Sequence, residues 1–295
     1  MTANELPESA RWLPEDTFRD QVAVVTGGGT GLGLELSRGL CALGAEVAVL
    51  SRSPENHSGI LAEAEAKGWK AYAVAVDVRE PDLVRRAKDE VMERSGKVDV
   101  LINNAAGNFV CPTERLSANA WRAVLGIVLD GTFYCSREFG KEMIAAGGGQ
   151  MLNIVATYAW TGMPGVAHSA SAKAGVLALT KTLAAEWARH GLRINAIAPG
   201  PFFSEGAQQN LWPDDEIEER LRRHVPLGRF GTAAEVAGHC LYQLSPASSW
   251  MTGECLVVDG GSTLARSWWE QGKRTTRKPA AAPDAEGTKD ARGGA

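Results

Sequence analysis

Short runs of apolar residues alternate along most of the chain with longer segments whose apolar residues recur every three or four positions. A short apolar run is typical of a strand buried on both faces of a sheet, and the longer period is typical of a helix with one buried face. The pattern predicts strands at Gln21–Thr26, Glu46–Leu50, Lys70–Asp77, Val98–Asn103, Gln150–Ala156, Arg193–Ala198 and Glu254–Val258. It predicts helices from the residues after Gly33 through Leu43 and at Glu55–Lys67, Asp82–Arg94, Ala118–Ala145, His168–His190 and Ala233–Leu244.

Strict alternation of strand and helix predicts an α/β protein with a single doubly wound parallel sheet, the Rossmann fold, and helices on both faces. We place this domain at residues 18–266, after an N-terminal extension at 1–17. An irregular segment near 202–228, which contains Trp212 and Pro213, is interpreted as a lid over the substrate. Residues 267–295 are polar and lack periodicity, which predicts a disordered tail.

Composition and charge exclude several classes of partner. The net charge of −4 gives no reason to expect nucleic acid or an anionic membrane as the main partner. No apolar run is long enough to span a bilayer, and the first residues lack the apolar core of a signal peptide, so a cytoplasmic location is expected. The five cysteines show no C-x-x-C spacing, which predicts reduced thiols and no metal site.

A glycine-rich turn between the first strand and the first helix is the strongest candidate for binding a nucleotide. Its glycines fit T-G-x-x-x-G-x-G, and the amides at the start of a helix can hold a phosphate group. A tight strand–helix connection without a ligand is the alternative. The residues assigned to cofactor binding here are Gly27, Gly28, Gly29, Thr30, Gly31, Leu32 and Gly33.

The end of the second strand favours NADP(H) over NAD(H). A site for NAD usually has a carboxylate about 20 residues past the glycines, where it binds the ribose 2′-hydroxyl. This chain has Ser51 and Arg52 there, and a hydroxyl beside a guanidinium suits a 2′-phosphate. An ordinary exposed arginine is the alternative. Further contacts with the cofactor are assigned to Asp77 near the adenine, Val78, Asn104, Pro199, Gly200, Pro201 and Phe202.

The segment Tyr158–Lys173 is the candidate reaction centre. Lys173 follows Ser169 by four residues, so both side chains lie on one face of a helix. Tyr158 lies upstream, where a strand is predicted to end. His168 is interpreted as a histidine at a helix start or on the surface, rather than as a base.

The motifs T-G-G-G-T-G-L-G, N-N-A-A-G, S-A-S-A-K and P-G-P resemble those of the short-chain dehydrogenase/reductase family, over about Phe18 to Thr263. Three positions depart from the family pattern. Ser169 stands where the family tyrosine is expected, and the family serine falls near Ala156 or Thr157. Val128 replaces the usual asparagine of the long helix. The carbonyl-reducing tetrad of the family therefore lacks three members.

N-N-A-A-G-N-F, P-T-E-R-L-S, Tyr158 and S-A-S-A-K together resemble one branch of that family, the NADPH-dependent 2,4-dienoyl-CoA reductases. The resemblance implies that Asn108, Tyr158, Ser169 and Lys173 form the catalytic set, and that Arg79, Phe109 and Ser117 contact the acyl-CoA. It also implies a homotetramer acting in the degradation of unsaturated fatty acids. Asn210 replaces a basic contact with CoA.

The implied reaction needs two donors at the thioester oxygen, because hydride delivered to the far end of a dienoyl thioester moves negative charge there. Tyr158 and Asn108 fit that role, and the expected product is a 3-enoyl-CoA. Lys173 is expected to hold the nicotinamide ribose and to lower the pKa of Tyr158, and Ser169 to orient Lys173 or bind the nicotinamide. A carbonyl or 3-oxoacyl reductase using Tyr158 as the acid, and a non-catalytic nucleotide-binding protein, are the alternatives.

Overall fold

The computed structural model describes residues 6–203 and 215–264, and within them the predicted parallel sheet is confirmed. Seven strands form one sheet in the order β3-β2-β1-β4-β5-β6-β7, and every neighbouring pair runs parallel. The strands are β1 (Val22–Thr26), β2 (Glu46–Ser51), β3 (Ala71–Ala75), β4 (Val100–Asn103), β5 (Gly149–Ile154), β6 (Leu192–Pro199) and β7 (Cys255–Val258).

The helices are α1 (Gly31–Ala42), α2 (Glu55–Lys67), α3 (Pro81–Ser95), α4 (Ala118–Leu125), α5 (Gly131–Ala146), α6 (Tyr158–Thr161), α7 (Ala167–Trp187), α8 (Asp215–Arg223) and α9 (Ala233–Leu244). Short 3-10 turns lie at Glu8–Ala10, Thr113–Arg115, Ala188–His190 and Pro246–Ser248. In the part of the chain that the structure describes, none of the helices combines the length and apolar character needed to cross a membrane.

Two apolar layers cover the two faces of the sheet. Alternate strand residues point to opposite faces, so Ala23 and Val25 join one layer while Val24 joins the other. Helices α1, α2 and α9 pack on the first face, and α3, α5 and α7 pack on the second. The predicted arrangement of helices on both faces is therefore confirmed.

The prediction of one long helix at Ala118–Ala145 is wrong in one respect: a π-helical turn at Gly126–Asp130 separates α4 from α5. Apolar periodicity continues through both helices and cannot reveal a single wider turn. Gly131, directly after the turn, lies so close to Val78 that an added Cβ would be 2.7 Å from its Cγ2. The turn thus meets the chain segment that follows β3.

Part of the N-terminal extension contributes to the core. Ala10 of the extension is completely buried in the layer that contains α1 and α9, as is Phe18, the first residue of the predicted domain. Residues 204–214 of the predicted lid, with Asn210, Trp212 and Pro213, lie outside the described residues, as does the predicted tail at 267–295. Residues Asp215–Arg223, which directly follow residue 214, form helix α8.

Candidate active site

The candidate residues lie at the carboxyl ends of the strands, along one edge of the sheet. The glycine turn follows β1, Ser51 ends β2, Asp77 follows β3, and Asn104 follows β4. Tyr158 follows β5, and residues 199–202 end and follow β6. Strand β1 lies between β2 and β4, so the strand order reverses there, and open α/β sheets bind ligands in the crevice at such a point.

The glycine turn is packed too closely for side chains. Gly27 and Gly31 have positive φ angles of 64° and 52°. A Cβ on Gly33 would lie 2.1 Å from the carbonyl oxygen of Gly27, and one on Gly29 would lie 1.7 Å from that of Asn56. The turn is therefore closed against α1 on one side and against the first turn of α2 on the other. Leu32 is an exception among the assigned residues, since its side chain is buried in the core.

The start of α1 fits the diphosphate of a dinucleotide. Thr30 is the N-cap residue, but its hydroxyl makes no capping hydrogen bond, and the first turn of α1 contains no acidic side chain. The amides of this turn and the positive end of the helix dipole are thus left for an anion.

Asp77 and Arg79, predicted to contact the adenine and the acyl-CoA, are paired with each other. The Arg79 Nε lies 3.0 Å from each carboxylate oxygen of Asp77, and a further guanidinium nitrogen lies 2.5 Å from Oδ2. The hydrogen bond from Arg79 holds the pKa of Asp77 below its usual value, and the charge of Arg52 acts in the same direction. Any contact of Asp77 or Arg79 with a ligand therefore competes with this ion pair.

Other residues assigned to the cofactor form hydrogen bonds within the protein that hold the loops of the site. The Asn104 Nδ2 donates to the carbonyl oxygens of Thr26 and Gly27 at 3.0 and 3.2 Å, and so fixes the glycine turn. The Gly200 amide donates to Val258 at 2.9 Å, and the Gly231 amide donates to the Pro201 carbonyl at 3.0 Å. Each bond holds a loop at the end of a strand in place.

Asn108, Tyr158 and Ser169 form a continuous chain of hydrogen bonds. The Asn108 Nδ2 donates to the Tyr158 hydroxyl at 3.3 Å, and that hydroxyl lies 3.1 Å from the Ser169 Oγ. The Asn108 Oδ1 accepts from the Phe109 amide at 2.9 Å, which directs Nδ2 towards Tyr158. Tyr158 begins the short helix α6, which the sequence pattern did not reveal. Ser169 is hydrogen-bonded to Tyr158, and no hydrogen bond joins it to Lys173 among the described residues.

The predicted effect of Lys173 on the pKa of Tyr158 is wrong. Burial raises the pKa of Tyr158, and the hydrogen bonds with Ser169 and Asn108 oppose that shift, but Lys173 is not among its causes. The Lys173 ammonium instead donates to the carbonyl oxygen of Ile154, at the end of β5. Tyr158 is consequently a neutral phenol at neutral pH, which can donate a hydrogen bond.

The charge on Lys173 destabilises the folded chain below about pH 8, because burial lowers its pKa to about 8. Between the folded and the unfolded pKa the unfolded chain binds more protons, so stability rises with pH in that window. Lys173→Met removes this dependence. We expect the free energy of unfolding of the variant, relative to the unmodified protein, to fall by about 1–3 kcal/mol between about pH 7.5 and about pH 10. Urea titrations at several pH values measure it, and a constant difference would contradict the burial of a charged lysine.

The rings of Phe109 and His168 pack against each other at the start of α7, with centroids 4.4 Å apart and planes tilted by 52°. His168 lies at the helix start as predicted, but the predicted alternative of a surface position is wrong, since its exposure is 0%. Burial lowers its pKa, and neither ring nitrogen has a hydrogen-bond partner among the described residues. Ser117, assigned to the substrate, is exposed and caps α4 by accepting from the Ala120 amide at 3.1 Å.

Val128 is completely buried in an apolar cluster with Val155, Ala172 and Val176. At this position the family pattern has an asparagine. An aliphatic side chain provides no donor or acceptor, so the region between the π-helical turn and α7 is apolar at this point.

Sequence reasoning missed a buried polar network under the site. The Asn103 Nδ2 donates to the Ser136 Oγ at 2.9 Å and to the Asn153 Oδ1 at 2.8 Å, and the Asn153 Nδ2 donates to the Thr180 Oγ1 at 2.8 Å. These bonds join β4, β5, α5 and α7. The sequence did contain a signal for this network. Asn103 and Asn153 lie at or near the ends of two apolar runs, and the register of β4 and β5 pairs these two residues with each other.

The comparisons with known proteins agree with these motifs. A family profile described as "Enoyl-(Acyl carrier protein) reductase" matches residues 27–263. The chain is 41% identical over 246 residues to a probable 2,4-dienoyl-CoA reductase of Bacillus subtilis (strain 168), named as producing (2E)-enoyl-CoA, with 83% of this chain and 97% of the relative covered. It is 38% identical over 250 residues to the peroxisomal 2,4-dienoyl-CoA reductase of Danio rerio, named as producing (3E)-enoyl-CoA, with 84% and 83% covered.

Two solved structures are also similar. A short chain dehydrogenase from Bacillus anthracis shares 44% identity with a TM-score of 0.76, covering 84% of this chain and 98% of that one. A gluconate 5-dehydrogenase from Burkholderia cenocepacia J2315, in complex with NADP and tartrate, shares 35% identity with a TM-score of 0.80, covering 84% and 98%. Similarity of fold therefore extends to a protein named for gluconate rather than for a dienoyl-CoA, and the substrate has to be argued from the site.

Proposed function

This chain belongs to the short-chain dehydrogenase/reductase family and, within it, to the 2,4-dienoyl-CoA reductase branch, and from that premise we propose that it reduces 2,4-dienoyl-CoA to 3-enoyl-CoA with NADPH. The proposed setting is the degradation of unsaturated fatty acids. The observation that carries the proposal is the hydrogen-bonded pair of Asn108 and Tyr158, because it supplies two neutral donors side by side.

The use of NADP(H) is supported by the residues at the cofactor edge. The start of α1 offers amides without a competing acid, and Ser51 and Arg52 end and follow β2. The structure of the related gluconate 5-dehydrogenase contains NADP. When bound, the reduced nicotinamide supplies a hydride. The role proposed for Lys173 is to hold the nicotinamide ribose, for which its ammonium would have to leave the Ile154 carbonyl.

The chemical role proposed for Tyr158 and Asn108 is to stabilise negative charge on the thioester oxygen. Both are donors when neutral, and burial keeps Tyr158 protonated. Ser169 holds the phenol in position, because its Oγ lies 3.1 Å away. A ketone reductase needs a hydroxyl that transfers its proton to the carbonyl oxygen. In the reaction proposed here, a hydroxyl that keeps its proton and only donates a hydrogen bond to the thioester oxygen is sufficient.

The position of the double bond in the product depends on which carbon receives the proton. Protonation of the dienolate next to the carbonyl gives a 3-enoyl thioester, and protonation two carbons further gives a 2-enoyl thioester. The two relatives carry different product names in this respect. We favour the 3-enoyl product, because the donors that hold the oxygen, and any water bonded to them, are nearest to the carbon beside the carbonyl.

A panel of substrates tests the proposal. We expect NADPH oxidation with 2,4-hexadienoyl-CoA and 2,4-decadienoyl-CoA, and none with simple ketones, when absorbance at the nicotinamide band is followed. Lys173→Met serves as the inactive control. Rapid reduction of acetoacetyl-CoA without dienoyl turnover would instead identify a carbonyl or 3-oxoacyl reductase, and NADPH binding with no turnover of any substrate would identify a non-catalytic protein.

We further propose a homotetramer in the cytoplasm, and CoA as the carrier of the acyl chain. Light scattering after size exclusion is expected to give four times the mass of the chain. Competition by free CoA against a dienoyl-CoA tests the carrier, and a dienoyl-pantetheine turned over equally well would show that the nucleotide part of CoA is not recognised. Asn210, which replaces a basic contact, is the position expected to weaken that recognition.

A further inference from the structure

His57 lies next to Ser51, one of the two residues assigned to the 2′-phosphate, although no motif assigns it to the site. It is the third residue of α2 and only 5% exposed. Its Nε2 lies 2.5 Å from the Oγ of Ser51, the last residue of β2. The next residue, Arg52, is exposed.

The first turn of α2 cannot easily move away from this position. The Asn56 carbonyl is in close contact with Gly29 of the glycine turn, where an added Cβ would lie 1.7 Å from its oxygen. The amides of Asn56 and His57 donate to the carbonyls of Ser53 and Pro54 at 3.1 and 3.0 Å. The imidazole is thus held beneath the Ser51 hydroxyl by both neighbouring segments.

We propose that His57 is a positioning residue that sets the preference for NADPH over NADH by controlling the direction of the hydrogen bond of Ser51. The inference rests on the proposed use of NADP(H). It adds a residue to the recognition of the phosphate that neither the motifs nor the family resemblance assigns.

The direction of this bond matters because a phosphate group in its dianionic form only accepts hydrogen bonds. A neutral imidazole has one donor nitrogen and one acceptor nitrogen. If Nε2 is the acceptor, the Ser51 hydrogen points inward to His57, and lone pairs of Oγ face the phosphate. If Nε2 carries a hydrogen and donates to Ser51, the Ser51 hydrogen is released to turn either outward to the phosphate or to the Ser53 carbonyl oxygen, which lies 3.4 Å from Oγ. A ribose 2′-hydroxyl both donates and accepts, so it is satisfied by either direction.

Burial keeps the imidazole of His57 neutral at neutral pH as long as no phosphate is bound. Burial lowers the pKa of His57, and Glu55 on the same helix opposes that shift. Arg52, directly after β2, and Asp77, after β3, attract each other electrostatically. On the α1 side, Arg38 is paired with Glu63 at 2.6 Å, further along α2. A dianion bonded to Ser51 raises the pKa of His57, so NADPH binding is expected to take up a proton that NADH binding does not.

A double-mutant cycle tests whether His57 acts through Ser51. Dissociation constants for NADPH and NADH are measured by nicotinamide fluorescence for Ser51→Ala, His57→Phe and the double variant. We expect His57→Phe to weaken NADPH binding about tenfold and NADH binding less than about twofold, with no further loss when it is added to Ser51→Ala. His57→Gln, which keeps a donor on the side chain, is expected to retain the preference. Losses that add in the double variant, or equal losses for both coenzymes, would indicate a merely structural role.

Proton uptake provides the second readout. Calorimetric titrations at about pH 7, in buffers of different ionisation heat, give the number of protons bound with each coenzyme. We expect the excess uptake with NADPH to disappear in His57→Phe and His57→Gln. If it persists, or if Arg52→Asp abolishes the preference while His57→Phe leaves it intact, the His57 proposal is wrong and the NADP(H) assignment stands. Equal affinity of the unmodified protein for both coenzymes would overturn both.

Discussion

Tyr158→Phe is expected to lower kcat for a 2,4-dienoyl-CoA by about 10²–10³-fold, because it removes one of the two donors to the thioester oxygen. The aromatic ring is kept, so the volume of the site hardly changes. The hydrogen bonds of the Tyr158 hydroxyl go to Asn108 and Ser169, not to the glycine turn or to the residues assigned to the 2′-phosphate. The dissociation constant for NADPH is therefore expected to change by less than about twofold.

The controls for this variant are Ser169→Ala and a melting curve. Ser169→Ala leaves the phenol in place and removes only a bond that orients it, so its kcat is expected to fall by about tenfold or less. Thermal unfolding separates a loss of chemistry from a loss of folded protein. An unchanged kcat in a folded Tyr158→Phe variant would remove Tyr158 from the mechanism.

Arg52→Asp is expected to weaken NADPH binding by about 100-fold and NADH binding by about threefold or less. The substitution removes a charged donor and places a carboxylate where the 2′-phosphate would lie, close to Asp77. Fluorescence titration with each coenzyme measures the effect. Arg85→Asp is the matched control, because Arg85 is exposed and, among the described residues, forms an ion pair with Asp82 in the first turn of α3, yet the variant has the same net charge. Equal weakening of both coenzymes by Arg52→Asp would defeat the assignment of the 2′-phosphate.

The fold could be predicted from the sequence, because each strand of a parallel sheet covered on both faces is a short, almost continuous run of apolar residues. All five residues of β1 are buried, and the run Gln21–Thr26 predicted it within one residue. The π-helical turn at Gly126–Asp130 was not accessible, since one additional residue in a turn does not disturb apolar periodicity enough to be recognised. The four residues of α6 are likewise too few to show a helical period.

The motifs identified which residues approach one another, but not what each side chain does. Asn108, Tyr158 and Ser169 lie in one hydrogen-bonded chain, as a common site requires. The direction of the Tyr158 pKa was mispredicted, because burial outweighs a lysine whose ammonium is bonded to Ile154 instead. The pairing of Asp77 with Arg79 depends on the local turn of the backbone, which residue types alone do not specify.

Polar residues buried by distant parts of the chain were the hardest to assign. His57 and Ser51 are separated by a turn, and the bond between them depends on how α2 packs against the glycine turn. His168 was placed correctly at a helix start, but its burial against Phe109 is a property of the assembled site. In both cases the sequence identified the element, and packing determined the environment of the imidazole.

The most direct test of the central claim is transfer of deuterium from NADPH labelled at the reactive carbon of the nicotinamide to 2,4-decadienoyl-CoA, with the product analysed by NMR. Hydride addition to the far end of the diene, with charge held on the thioester oxygen by Tyr158 and Asn108, predicts deuterium at C5 and a double bond between C3 and C4. Deuterium at C3, or transfer only to the carbonyl carbon of a ketone substrate, would contradict this mechanism.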